Sequence, residues 1–287
     1  MISLGPSSFH KPTGLAGDEH DHHTIKHRIC RIVVALSLAH SLWSQTTPTC
    51  SEENPPDEAV LETRVRPVSW KQLVPNIAKD QKQIWTFPLR IGQGNNWAPA
   101  LAVSAITAGL VIADPHDTPY FRRTTSFNRF NSAVSTNTTA LGTAIVPISL
   151  YLAGMIRKDS YAKETALLAG EAIANAEILT IVMHMADRRI RPKNLPDDNY
   201  RDTWFKNKLS LVKGSGSFPS GHSMAAFALA TVLSRRYSSH RWVPYVAYGI
   251  AAIASFSRIT SADHFTSDVF FGAAAGYSIS RFSVLRR

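Results

Sequence analysis

The sequence predicts an all-α protein, a bundle of about six core helices embedded in a membrane. Three observations predict it. From Trp97 onward the chain is built of Ala-, Leu-, Ile- and Val-rich stretches divided by short polar turns. Prolines are sparse inside those stretches, and each stretch is long enough for a helix. No alternation of apolar and polar residues competes over a comparable length, so no sheet is expected.

Taken in order, residues 1–44 read as an N-terminal extension with a signal-like segment. Lys26, His27 and Arg28 precede the mostly apolar run Ile29–Trp43, and polar Ser44-Gln45-Thr46 follows it. A basic flank, a short apolar run and a small residue near a cut are the layout of a secretory signal, although Arg31 and His40 interrupt the run. Cleavage near Ser44 would remove Cys30 and leave Cys50 alone, and two cysteines build no disulfide framework. Residues 45–96 read as a linker or surface arm, because their first part is rich in Pro, Thr, Glu and Lys without sustained period. Residues 97–285 form the helical domain. Its stretches are Trp97–Ala113, Thr139–Ile156, Glu164–Ala186, His222–Leu233, Val243–Phe256 and Val269–Phe282.

A membrane span needs about 20 mostly apolar residues, and several of these stretches are shorter. Glu171, Asn175 and Glu177 would be costly against lipid but tolerable inside a bundle. If the first stretch enters from the cytoplasm, the turns holding Arg157, Lys158, Lys163, Arg235, Arg236 and Arg241 lie inside, as does the Arg281–Arg287 tail. That is the side that basic loops prefer. A translocated N-terminus ahead of six spans inverts this arrangement. Two locations in a bacterial-type envelope therefore stay open: an inner-membrane protein whose site faces the periplasm, or an exported periplasmic bundle.

The net charge is +10, from 31 Lys and Arg against 21 Asp and Glu, which suits phosphorylated substrates or acidic lipid surfaces. No aromatic-interleaved basic stripe or zinc-finger spacing is present, so no nucleic-acid partner is expected. The chemistry concentrates in the last third of the chain. Arg191-Pro192 comes first, then Pro219-Ser220-Gly221-His222, then Ser257-Arg258 with His264 and Asp268. Arg191 and Arg258 can each grip phosphate oxygens with two donors. Ser220 and Gly221 precede a helical run, so their N–H groups are expected to point at an anion with the helix dipole behind them. His222 at that helix start suits a proton donor to a leaving oxygen, and an aspartate such as Asp268 beside His264 would fix its tautomer. Taken singly, each cluster is more ordinarily a surface turn, a helix cap or a structural hydrogen bond.

Order and spacing lift them above that. The chain resembles the type 2 phosphatidic acid phosphatase superfamily, shared with bacterial acid phosphatases and vanadium haloperoxidases. That family carries a Lys, six residues, Arg-Pro; then Pro-Ser-Gly-His; then Ser-Arg, five residues, His, three residues, Asp. The second and third motifs stand complete in Pro219–His222 and in Ser257, Arg258, His264 and Asp268. The first keeps Arg191-Pro192 but has His184 in place of the lysine.

The resemblance implies that His264 attacks phosphorus and forms a phosphohistidine, oriented by Asp268. It implies that His222 protonates the leaving group and then activates water. Arg191, Arg258, Ser220 and Gly221 would hold the phosphoryl oxygens, with His184 a weakened contact that Arg188 or Arg189 could replace. It further implies a phosphomonoester or pyrophosphate substrate, carried on a lipid if the bundle is embedded, and no cofactor. The alternatives are a haloperoxidase that holds vanadate in the same cradle, and a non-catalytic binder of phosphate or lipid.

No metal is expected at the site, where acidic residues are few. His20-Asp21-His22-His23 has a metal-binding composition, but it precedes the signal-like run and reads as a solvated tail. Asp114-Pro115-His116-Asp117 reads as a structural turn after the first apolar stretch.

Overall fold

The computed structural model describes residues 68–94, 97–196, 199–208 and 216–286. The signal-like run Ile29–Trp43, both cysteines and the His20–His23 tract lie outside the described residues. Among the described residues helices are the only regular secondary structure, and no strand is present. The elements are α1 (Trp70–Trp85), α2 (Phe87–Gly92), α3 (Trp97–Arg123), α4 (Asn128–Ala133), α5 (Thr136–Ile156), α6 (Ser160–Asp187), α7 (Gly221–Arg236), α8 (Trp242–Thr260) and α9 (Thr266–Ile279). A short 3-10 turn lies at Pro192–Asn194, and a π turn at Ser280–Val284 extends α9.

Each of the apolar stretches read from the sequence lies in a helix, from α3 through α5 to α9. Their starts have identifiable causes. Ser135 caps α5 by accepting the Thr138 N–H, and Asp159 caps α6 by accepting the Ala162 N–H. Two readings change. The Asp114–Asp117 segment is not a turn but continues α3, whose interior holds Pro115 and Pro119. The breaker signal of Pro115 is overridden by long-range bonds to Asp114, described below. Within the stretch read as linker or arm, α1 and α2 are helical, and α1 docks on α6.

That docking is polar. Asn175 Nδ2 of α6 donates to Asp80 Oδ2 at 3.0 Å, and Gln81 Nε2 donates to Asn175 Oδ1 at 2.8 Å. Asn76 and Asp80 are buried against α6 while Trp70 and Val74 face outward. The polar stripe of α6, with Glu171 and Asn175, is thereby turned inward as its desolvation cost requires.

The apolar core joins α6, α7 and the C-terminal turn: Leu168, Ala172 and Leu179 meet Met224, Val232 and Ile279. Small residues let α9 lie close to α7. A Cβ on Gly272 would stand 2.6 Å from the Ser220 carbonyl oxygen, and one on Gly276 would overlap the Met224 carbonyl. Among the described residues three segments, Trp97–Arg123, Asn128–Ile156 and Ser160–Asn194, are long and apolar enough to cross a membrane. At 16 and 14 residues, α7 and α9 are shorter than the ~30 Å hydrocarbon layer requires. Leu101, Ile112, Ile145, Ile148, Leu152 and Ile250 lie exposed on the outer faces of α3, α5 and α8.

Candidate active site

The site lies at one end of the bundle, where α3, α6 and α8 end and α7 and α9 begin. The chain enters it through a backbone switch. Arg188 closes α6 in the left-handed region at φ 47°, an unusual state for a side-chain-bearing residue. This reversal turns Arg189 into the interior, while the Arg188 guanidinium stays over the Phe205 ring at 5.8 Å.

His264 is buried in the loop between α8 and α9. Its Nδ1 lies 2.7 Å from the Ser217 carbonyl oxygen and 3.7 Å from Asp268 Oδ2. A carbonyl only accepts, so Nδ1 carries the proton and the lone pair is left on Nε2. Burial holds the imidazole below its ordinary protonation range, against the upward pull of Asp268. Helix α9 begins at Thr266, after His264, so the two residues do not share a helical face. Asp268 instead folds back on the helix start, where Oδ2 accepts the Phe265 N–H at 2.9 Å and the Ser217 hydroxyl at 2.5 Å. Its Oδ1 accepts from Arg189 at 2.5 Å. Burial alone would raise the Asp268 carboxyl, but the Arg189 charge brings it down to about 2.

The two expected arginines converge on a carboxylate that sequence reasoning missed. Asp263 Oδ1 is 3.8 Å from Arg191 Nη1 and 2.5 Å from Lys193 Nζ, and its Oδ2 is 3.5 Å from Arg258 Nη1. Burial would raise this carboxyl too, yet the Lys193 ammonium and the Ser261 hydroxyl bring it down to about 2. Arg191 is further fixed by donating Nε–H to the Gly216 carbonyl at 3.0 Å. Arg258 donates to the Val134 carbonyl at 2.6 Å. Three cations thus surround one anionic group, a spacing that also suits phosphate oxygens. The signal for Asp263 and Lys193 was their position, one residue before His264 and one after Pro192.

The second cluster opens α7 as expected, with Ser220 at the cap and half-buried His222 in the first turn. The Ser220 N–H, however, donates to the Asp268 carbonyl at 3.0 Å, so the N–H donors left for an anion begin at Gly221. Gly221 has no acceptor within its own helix. His184 comes to the same end of the bundle, but its Nε2 donates to the Pro219 carbonyl at 2.9 Å. That bond uses the one donor of a neutral ring. Nor is Arg189 a spare phosphate contact. It is buried, paired with Asp114 and Asp268, and in cation–π contact with Trp204 and Phe265.

The model of the PAP2 superfamily matches residues 165–286, which hold every site residue named above except Asp114 and Val134. Over 63 residues the chain is 41% identical to a lipid A 1-phosphatase of Porphyromonas gingivalis; the match spans 22% of this chain and 14% of that relative. A solved transmembrane PAP2-type phosphatidylglycerolphosphate phosphatase from Bacillus subtilis aligns over 70% of this chain and 92% of its own, at 22% identity and a TM-score of 0.38. With both later motifs complete and gathered at one end of the bundle, residues 165–286 belong to the PAP2 superfamily.

Proposed function

We propose that the protein is a phosphatase that cleaves a phosphomonoester or pyrophosphate carried on a lipid, through a phosphohistidine on His264. One observation carries the reading: the His264 proton is committed to the Ser217 carbonyl, leaving Nε2 as a buried, neutral nucleophile one residue along the chain from the Asp263 carboxylate on which three cations converge. The family of residues 165–286 supports a phosphatase. A lipid substrate is supported by the exposed apolar faces of α3 and α5 and by the name of the Porphyromonas relative.

In this reading Arg191 and Arg258 hold the phosphoryl oxygens, and the Gly221 N–H adds the dipole of α7. Nε2 of His264 attacks phosphorus as the bond to the leaving oxygen breaks, and His222 gives that oxygen a proton. His222 then takes a proton from water, whose oxygen attacks the phosphohistidine, and phosphate leaves with neutral His264 restored. Positive charge comes from the arginines, and these steps call for no metal or organic cofactor. His184 serves to tie α6 to the Pro219 loop rather than to touch phosphate. The basic turns at Arg157–Lys163 and Arg235–Arg241 lie at the other ends of α6, α7 and α8 from the site; the preference of basic loops for the cytoplasmic face supports a site facing the periplasm.

The test is phosphate release from a panel that includes lipid phosphates and polyprenyl diphosphates, by wild type and His264→Ala. Release by wild type, inhibited by vanadate and lost by at least about 1000-fold in the variant, is expected. A wild type that releases no phosphate from any member of the panel, or an active His264→Ala, would overturn the reading.

A further inference from the structure

We propose that Asp114 and Arg189 are a buried positioning pair that sets both the place and the net charge of Asp268 behind His264. The proposal rests on His264 being the nucleophile. Asp114 lies on α3, outside the segment that carries the family resemblance, so part of the site is supplied from upstream.

Arg189 is held at every nitrogen. Nη1 donates to Asp268 Oδ1 at 2.5 Å and to the Ser267 hydroxyl at 2.8 Å, Nη2 donates to Asp114 Oδ2 at 2.7 Å, and Nε donates to Thr203 Oγ1 at 3.2 Å. Its guanidinium carbon also lies 4.5 Å from the Trp204 ring centroid and 3.9 Å from that of Phe265. Asp114 is as fully committed. Its Oδ2 also accepts the Ser267 hydroxyl at 2.5 Å, and its Oδ1 accepts the Ser267 N–H at 3.2 Å. Arg189, Asp114 and Asp268 are all 1% exposed or less, so none of these charges is screened by water.

The charge count explains why a second carboxylate is needed. Arg189 and Asp268 alone would be a neutral pair, and a neutral pair does little for a cation. Yet when Nε2 of His264 bonds to phosphorus while Nδ1 keeps its proton, the imidazole ring becomes positively charged. Asp114 balances Arg189, so the triad carries a net charge of −1. The negative charge left over is that of Asp268, 3.7 Å from the ring that becomes positive. Fixed charge aimed at where charge develops, in a dry site, is the form of stabilisation that accelerates reactions most.

Asp114→Asn keeps the shape and removes the charge. Full-length wild type and variant are assayed in detergent or lipid for phosphate release across pH and for vanadate inhibition. The groups that face His264 are Asp268 from α9, Asp263 from its own loop, Arg191 from the segment after α6, and His184 from α6, with Asp187 near Asp268. All of them remain in the variant. The expected result is kcat lower by about 10- to 100-fold with KM and vanadate inhibition within about 2-fold. The acid limb of kcat/KM also moves to lower pH, because less negative charge faces His264 and its imidazolium is less favoured. A loss of folded protein alone would lower kcat without moving that limb.

Unchanged kcat, or a fall in kcat with the acid limb fixed, overturns the proposal. If Asp114→Asn does not fold, Ser267→Ala carries the test, since it removes a hydroxyl bonded to both Arg189 and Asp114. There kcat falls by about 3- to 10-fold and Ser267→Thr restores it; wild-type kcat in Ser267→Ala overturns the proposal. Failure of the underlying reading looks different: phosphate release is then absent from wild type or survives His264→Ala.

Discussion

Asp263 and Asp268 flank the same histidine within a few residues, and both are ionised far into acid, yet they are held by opposite strategies. Asp268 sits in a dry pocket where one guanidinium, one hydroxyl and one backbone N–H each have a fixed place. Asp263 is also buried, but it lies among Arg191, Arg258 and Lys193, and the lysine that lies nearest is half exposed. The inner carboxylate is fully committed to buried neighbours. The outer one is held by the Ser261 hydroxyl and by cations that also suit a substrate phosphate. In the proposed mechanism equal charge serves orientation in one place and competes with the substrate phosphate in the other.

The comparison breaks most visibly at the inner site. Asp268→Asn should lower phosphate release by about 100- to 10,000-fold, because the ring loses its counter-charge. Removing one partner of a buried charged network should also cost about 3 kcal/mol, read from chemical denaturation. A variant that keeps its stability and most of its rate would put Asp268 on a par with Asp263.

Gly276→Ala tests the inner site from a distance. Its methyl group would press on the Met224 carbonyl and part α9 from α7, shifting Ser220 relative to Asp268 while leaving the Asp263 rim in place. A loss of about 1–3 kcal/mol and a lower kcat are expected, with vanadate inhibition little changed. Asp263→Asn should do the reverse. With its carboxylate gone, phosphate and vanadate should inhibit about 2- to 10-fold more tightly, in line with one partly screened ion pair. Weaker inhibition would show that Asp263 positions the arginines rather than competing with substrate.

The smallest effect is on pH. Burial disfavours the charged form of His264, so the ring stays neutral and the acid limb of kcat/KM should lie below the ordinary histidine value of about 6.5. The unfolded chain takes up that proton first, so this residue's contribution to stability falls as pH drops below about 6.5. The two aspartates act in the same direction but further into acid. Their depressed carboxyls contribute stability above about 3.9 that is lost toward about 2. An acid limb above 6.5 would mean that Asp268 outweighs burial at the ring.

The helices were legible because their signal is local. Ala- and Leu-rich composition predicted the regions that became α5 and α8 whatever lay beside them. The two complete motifs were legible as patterns of residue type. What the sequence hid was tertiary pairing. Pro115 marked a turn by its own chemistry, and only Arg189 and Ser267, far along the chain, show why Asp114 stays in a helix. The Ser220 N–H looked free for phosphate because the Asp268 carbonyl that takes it comes from another helix. Arg189 looked like a spare cation, and its burial between two carboxylates has no local signature.

The most direct measurement is to quench wild-type protein during turnover of a labelled phosphate ester and map the acid-labile label. Phosphate on His264, absent from His264→Ala, is the predicted result. Turnover with no label on any histidine, or with the label on His222, would contradict it.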